Sequence, residues 1–420
     1  MILYNANLVT LWPAEPHVPG ALIAIEGKSI VDFGKMGKLI DRYDDAETLD
    51  VGGRVVMPGM IDAHARLSRR LFVGTSADPA KFECALDVPA IHASASVALM
   101  DAVRSGVTTV FALHASPSCV GGSLEELRRA FTDVGVRGSV AYAVSAESDV
   151  DAAIDENASG LAQASEMFRG LFGLRVSLEL DDRQMKRCVE RADELGARLH
   201  VSLAHSRDEL DSCLSQCGVT PIVRLGKLGL WNRRGFSAYA PHRLPADEAV
   251  LRESGVWLVD CPLSGTIGAA PSPELAHLRA SECLVATGTE GFGQSMLEEF
   301  RRSALRQRAR GTDLKSAIRL AFWSSFQGNA ELATAHFGPP LGCIRPGARA
   351  DLVVLDYVPT TPFDASNVAD HLFFSSSMGR VHTVVVNGRI LYQNGEFAHL
   401  DEARLRARAR EISNELWERI

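Results

Sequence analysis

Sulfur is scarce in this chain and falls into no pattern. Eight cysteines are scattered over 420 residues without a single C-x-x-C pair, so no disulfide framework is written here and reduced thiols, several of them in the core, are expected. No run of about 18 apolar residues occurs, which argues against a membrane-spanning helix. The start, MILYNANLVTLWPAEP, lacks the basic, apolar and small-residue regions of a secretory leader, so a soluble, cytoplasmic protein is expected. Basic residues are outnumbered, 44 against 52 acidic, for a net charge of −8 spread along the chain. That leaves no positive footprint for nucleic acid or an anionic membrane. A G-x-G-x-x-G after the first apolar run of the middle region is also missing, which disfavours an open dinucleotide-binding sheet.

Apolar residues make up 46% and charged residues 23% of the chain. These ordinary globular values exclude disorder, collagen-like repeats and a coiled coil. Residues 1 to about 57 form short apolar runs broken by Gly and polar pairs, and the texture returns after residue 342, where Asn387-Gly388 signals a hairpin. Neither block has enough strands for a sheet of typical size, so the two are expected to join. Between them, MIDAHA, TTVFALH, GSVAYAV, RVSLEL, RLHVSLA, FSAYAP, VWLVDCP and CLVATGT alternate with amphipathic helices such as SLEELRRAFTDVG and DRQMKRCVERADELG. Eight strand–helix units predict an α/β fold, a (β/α)8 TIM-type barrel with a small β-sandwich-like domain formed by both termini. The expected boundaries are 1–57 plus 343–400 for the composite β domain and 58–342 for the barrel. Residues 401–420 are expected to form a C-terminal surface helix packing on its own chain.

Barrel enzymes place their chemistry at the C-terminal ends of the strands. The residues there are His64 and Arg66 on the first strand, His114 on the second, and His200, Ser202 and His205 on the fifth. Tyr239 and His242 follow on the sixth, Asp260 and Cys261 on the seventh, and Glu290 on the eighth. Taken singly, each histidine is more often a hydrogen-bonded structural residue than a ligand. Together, His200, His205, His242, Tyr239 and Arg66 could line an anion-binding pocket. Cys261 with His205 or His242 could form a nucleophile pair, although a thiol in VDCPLSG is more often core. His114 is expected to fix the loop that follows it.

PGMIDAHARL (58–67) resembles the PG-x-x-D-x-H-x-H first-strand signature of the amidohydrolase superfamily, and ATGTEG (286–291) its eighth-strand ending. HASPSCVGGSL, GTEGFGQSMLEEF and HTVVVNGRILYQNGEF are similar to segments of one branch, the aminohydrolases and chlorohydrolases that include SsnA-like proteins. The resemblance implies one zinc or iron ion held by two first-strand histidines, one histidine each from the fifth and sixth strands, and an eighth-strand aspartate. The ion activates water for attack on an amide or amidine carbon. Carried over residue by residue, His64 matches the first ligand, but the other ligand positions are Arg66, Ser202, Tyr239 and Glu290. His200 matches the leading fifth-strand histidine, His205 stands at the general-acid Glu, and His242 keeps the second sixth-strand histidine.

Zinc needs three or four N, S or O ligands. A fixed positive charge about 4 Å from a divalent ion costs roughly 8 kcal/mol at an effective dielectric near 20, twice the unit-charge figure. The metal is therefore expected to be lost, with no cofactor retained and His64, Arg66, Ser202, Tyr239 and Glu290 as vestigial positions. His64, Arg66, His200 and Tyr239 become candidate ligand-binding residues, and Arg66 is expected to pair with Glu290. The family's strand-end H-x-P segment has no counterpart where RVSLEL meets DDRQMKRC, and the stretch 68–90 is shorter than the family's substrate loop. These departures predict a catalytically degenerate homologue with a structural or regulatory role. The alternatives are a hydrolase or deaminase of C–N bonds in a small cyclic amidine or amide, using His205, His242 and Glu290, and a metal-free small-ligand binder. The partners expected by resemblance are a second copy of the chain, as a homodimer, or an active paralogue.

Overall fold

Period-two apolar runs from both ends of the chain become strands of one nine-stranded sheet. The computed structural model describes residues 1–43, 45–176, 180–231, 235–375 and 380–420. Two compact units can be distinguished: Met1–Asp62, Met100–Thr109 and Gln294–Asp401, and Ala63–Leu99, Val110–Gly293 and Glu402–Ile420. Residues 294–342, expected with the barrel, thus cluster with the terminal strands, and the C-terminal helix clusters with most of the barrel.

In the first unit the two ends of the chain meet where Leu352–Leu355 pairs antiparallel with Val55–Pro58, Val353 opposite Met57 and Val354 opposite Val56. Val55–Pro58 in turn runs parallel to Ile2–Val9. Alternate side chains of these strands, among them Leu3, Leu8, Ile23, Val56, Leu352 and Val354, share one buried cluster, as a pleat with one covered face requires. The Asn387-Gly388 turn has φ of 51° and 78°, the left-handed pair that a two-residue hairpin needs.

The barrel strands lie in two parallel sheets. Met60–Ala65, Val107–His114, Arg137–Tyr142 and Phe168–Gly170 form one; Phe172–Val176, Leu199–Leu203, Gly235–Tyr239, Trp257–Asp260 and Val285–Thr287 form the other. Phe168–Gly170 and Phe172–Val176 are one fourth strand interrupted at Leu171, and a parallel bridge between Val144 and Leu174 joins the sheets. At the other seam the amides of Thr289 and Glu290 donate to the His64 carbonyl at 3.0 and 2.8 Å. The fold is a (β/α)8 TIM-type barrel.

The fourth strand corrects the sequence reading. RVSLEL (175–180) was expected there, but the strand runs earlier, and 177–179 lie outside the described residues. Gly170 and Gly173 break the apolar run, which hides it from a pattern search. They are needed because a Cβ at Gly173 would run into the carbonyl of Tyr142 on the third strand. The helices follow their sequence signals: Ser123–Val134 ends on Gly135 at φ 84°, and Asp181 with Gln184 closes a capping box before Asp182–Glu194. Among the described residues no single helix is long and apolar enough to cross a membrane.

Candidate functional site

Alternation on the first strand sends His64 and Arg66 the same way, and both are buried, at 0% and 2% exposure. The eighth-strand ending is laid directly over them. A Cβ on Gly288 would approach the His64 amide nitrogen to 2.6 Å, and one on Gly291 would approach the Arg66 carbonyl to 2.6 Å. Glycine at both places lets the two backbones touch. Between them Glu290 adopts φ 54°, a left-handed conformation that costs a non-glycine residue about 1 kcal/mol or more. Its carboxylate lies against His64, Oε2 2.6 Å from Nε2.

From Glu290 a line of polar contacts runs through the barrel. His64 Nδ1 is 2.6 Å from His200 Nε2, and His200 Nδ1 is 2.5 Å from Ser237 Oγ. The two imidazoles stack with centroids 4.8 Å apart, and Tyr239 stacks on His64 at 4.9 Å. Two proton arrangements satisfy this line. With His64 neutral, donation runs from Ser237 to His200 to His64 to Glu290. With His64 cationic, its Nδ1–H donates to His200 Nε2, and His200 Nδ1–H donates to Ser237.

On its other side Glu290 meets guanidinium groups. Arg66 Nε is 3.4 Å from Glu290 Oε1, and Arg69 Nη1 donates to the same oxygen at 3.3 Å. Arg66 thus lies against Glu290 as the pairing expectation has it, but its nearer partner is Glu83: Arg66 Nη1 donates to Glu83 Oε1 at 2.8 Å. Arg69 also reaches that oxygen, from Nε at 3.0 Å and Nη2 at 2.8 Å. Arg175 approaches Glu83 Oε2 at 3.5 Å and Glu147 at 3.0 Å. Burial alone would raise the Glu290 carboxyl, but Arg66, His64 and Arg69 outweigh it and hold the group well below the usual carboxylate range. Burial likewise pushes the Glu83 carboxyl up, and Arg66, Arg69 and Arg175 overcome that push and hold it below its ordinary value.

The remaining candidates form a second group beside this cluster. Ser202 Oγ is 2.6 Å from His205 Nε2, and the His205 and Tyr239 rings meet edge-on at 5.2 Å. Burial pushes His205 down to about 3 and raises the Tyr239 phenol well above its ordinary value; that hydroxyl is 3.0 Å from Ser264 Oγ. The Glu209 carboxylate accepts the amides of Ala204 and His205 at 2.9 and 2.8 Å, fixing the turn after the fifth strand. His242 donates its backbone amide to the Ala204 carbonyl; burial, then Arg207, lowers its ring pKa. Cys261 is fully buried at the start of helix Pro262–Ile267. His114 contacts Ser68 and Ser116, and Ser116 donates to the Cys119 carbonyl, so this histidine does secure the following loop.

Sequence reasoning missed Glu83, Arg69, Ser237, Arg175 and Glu147. Ser237 lies two residues before Tyr239 on the same strand face, which was a usable signal. Glu83 and Arg69 belong to the shortened stretch 68–90, where a 3-10 turn (Leu67–Phe72) and a short helix (Pro79–Ala85) replace the expected loop. The C-terminal helix Glu402–Trp417 braces that stretch. Trp417 packs on Phe82 and Phe72 at 5.6 and 6.4 Å, its Nε1–H donates to the Leu71 carbonyl, and Arg419 pairs with Asp87.

The amidohydrolase family profile matches residues 55–391. The 5-methylthioadenosine/S-adenosylhomocysteine deaminase of Desulfitobacterium hafniense (strain Y51) is 25% identical, covering 96% of both chains. The protein of the same name from Pelotomaculum thermopropionicum is 24% identical over 97% of both. Among solved structures, an adenosine deaminase from Xanthomonas campestris with bound zinc superposes with a TM-score of 0.87 at 21% identity, covering 99% of this chain and 98% of that one. Atrazine chlorohydrolase from Arthrobacter aurescens TC1, complexed with zinc, gives 0.82 at 22% identity over 98% and 99%.

These findings correct the expectation that no cofactor is involved, because similar proteins are described with zinc and point to a metal. The five positions named above do not themselves fit such an ion. Among the described residues no three His, Cys, Asp or Glu side chains gather to hold one. The place between His64 and Glu290 is closed by their own 2.6 Å contact, with Arg66 beside it. No step is therefore routed through a metal at these residues. With its profile match spanning most of the sequence and its barrel superposing nearly end to end on those structures, this chain belongs to the amidohydrolase family.

Proposed function

We propose that the chain is a catalytically degenerate amidohydrolase, a structural or regulatory homologue of SsnA-like aminohydrolases whose barrel mouth binds rather than transforms a small molecule. One observation carries this reading: the Glu290 carboxylate is buried and clamped by His64, Arg66 and Arg69. A carboxylate that takes a proton from attacking water must be basic enough near neutrality and must face that water. Glu290 is held strongly acidic and faces cations. His205, pushed down to about 3, stays neutral near pH 7, and its remaining N–H is too weakly acidic to protonate a leaving amine. Tyr239, raised by burial, keeps its proton.

The test is ammonia release from 5′-methylthioadenosine, S-adenosylhomocysteine and adenosine, with and without added zinc. The expected result is none above the uncatalysed rate. Release proportional to protein concentration, and abolished by Glu290→Gln, overturns the proposal.

The full-length likeness to proteins named as deaminases favours a second reading, a hydrolase of C–N bonds in a cyclic amidine. On that reading His205, His242 and Glu290 move the protons, and the same assay would respond to substitution of each of the three.

A further inference from the structure

The charge cluster beside Glu290 is organised around one carboxylate. Glu83 Oε1 accepts from Arg66 Nη1 and from Arg69 Nε and Nη2, all within 3.0 Å, while Oε2 faces Arg175. Three guanidinium groups, two from the turn after the first strand and one from the fourth strand, thus converge on a group only 3% exposed. Glu290 also faces Arg66 and Arg69, and Glu147 also faces Arg175. Even so, Arg66 Nη2 is buried and makes no hydrogen bond among the described residues. A buried guanidinium N–H left without an acceptor is costly, and it belongs to one of the guanidinium groups gathered around a planar anion.

The cluster also has an open side, and its occupant is carried by a short element. Arg175 is 28% and Glu147 34% exposed, so water reaches one edge. Glu83 is carried by the short helix Pro79–Ala85, which follows an exposed stretch containing Gly74 at φ 87°. We propose that Arg66, Arg69 and Arg175 form a binding site for a small carboxylate molecule, which Glu83 fills as a tethered stand-in until that ligand displaces it. A free carboxylate seated between the three cations would repeat the contacts of Glu83 and, free of a tether, could settle to give Arg66 Nη2 an acceptor as well. The tethered group competes at a high effective concentration, so the natural chain should bind free carboxylates weakly. The inference rests on the binding role proposed above. The two fail separately, since turnover would sink that role and an anion titration requires no turnover.

The experiment is calorimetric titration of the full chain and of Glu83→Gln with acetate, succinate and inorganic phosphate at constant ionic strength. Glu83→Gln is expected to bind succinate at least about tenfold more tightly than the natural chain, and Arg69→Gln in the same background should abolish the gain. Equal affinity in both proteins, no saturable binding by a folded Glu83→Gln, or saturation by phosphate alone each overturns the proposal. If Glu83→Gln does not fold, hydrogen exchange of the natural chain decides: succinate should accelerate exchange across 73–85 relative to matched sodium chloride, and an unchanged rate overturns the proposal.

Discussion

Arg66 is the residue on which the mouth of the barrel depends. It stands against both Glu83 and Glu290, at 2% exposure itself and beside carboxylates of 3% and 1%. Replacing it by methionine keeps most of the volume but takes a cation from two buried anions, leaving Glu83 to Arg69 and Arg175 and Glu290 to His64 and Arg69, so Arg66→Met should destabilise the fold by about 3 kcal/mol. Urea denaturation would measure this. The paired replacement Arg66→Met with Glu83→Gln should recover a large part of the loss, because neighbours in one charge network do not add.

His114 supplies a pH signature at the same scale. Burial pushes its pKa from 6.5 to about 3, so the unfolded chain takes up a proton that the folded chain refuses. The sign follows: this contribution to stability is intact above about pH 6.5 and declines as pH falls toward 3, by up to about 1.4 kcal/mol per pH unit. Glu83 and Glu290, whose folded pKa values are lowered, are ionised in both states above about pH 4.5 and add slope only below that. His205, pushed down to the same value, adds a slope of the same sign, so His114→Asn should lessen but not abolish the fall in stability between about pH 6.5 and 4.5, as followed by denaturation midpoints.

At the scale of elements, the C-terminal helix is a brace for the segment that carries Arg69 and Glu83. Trp417→Ala removes packing on Phe72 and Phe82 and a hydrogen bond to Leu71. For a half-buried indole the expected cost is about 2 kcal/mol, with new protease cleavage within 73–81; Trp417→Phe should restore most of the protection. The contact between the first and eighth strands is less forgiving. Gly288→Ala places a methyl group 2.6 Å from the His64 amide nitrogen, and backbone cannot swing aside as a side chain can. Loss of soluble expression, or destabilisation by about 3 kcal/mol or more, is expected.

These elements also mark what the sequence could reveal. Strands with four or more apolar residues, helices with Gly beyond the last turn and the Asn387-Gly388 hairpin were legible because the signal lies within a few residues. The fourth strand was not, since Gly173 is there to fit the third strand and Gly170 to fit the backbone of helix Val150–Ala162, and both look like breaks. The strand-end histidines could be placed from the barrel alone. The approach of Arg66 to Glu290 could be expected as well. The nearer partner Glu83 could not, because it lies 17 residues away in sequence, and Arg175, which also faces Glu83, comes from a different strand; only the folded chain brings these charges together.

At the scale of the whole molecule, the sheet that joins Val55–Pro58 to Leu352–Leu355 makes folding of one end conditional on the other. Nearly three hundred residues separate the two strands, so their pairing is a late, non-local event. Hydrogen exchange should accordingly show Met57 and Val353 opening together, with one protection factor, rather than as separate N- and C-terminal units.

The mutual pairing of Arg66, Arg69, Glu83 and Glu290 also constrains how this chain could change. Any single step toward a histidine at position 66 takes a fixed cation from two interior acids at once, leaving Glu83 to Arg69 and Arg175 and Glu290 to His64 and Arg69, and any single step that neutralises an acid leaves the arginines in surplus. Both kinds of intermediate should be less stable than the balanced cluster, so the barrel mouth behaves as a ratchet: a change of charge here would have to alter several of these sites together to keep its stability.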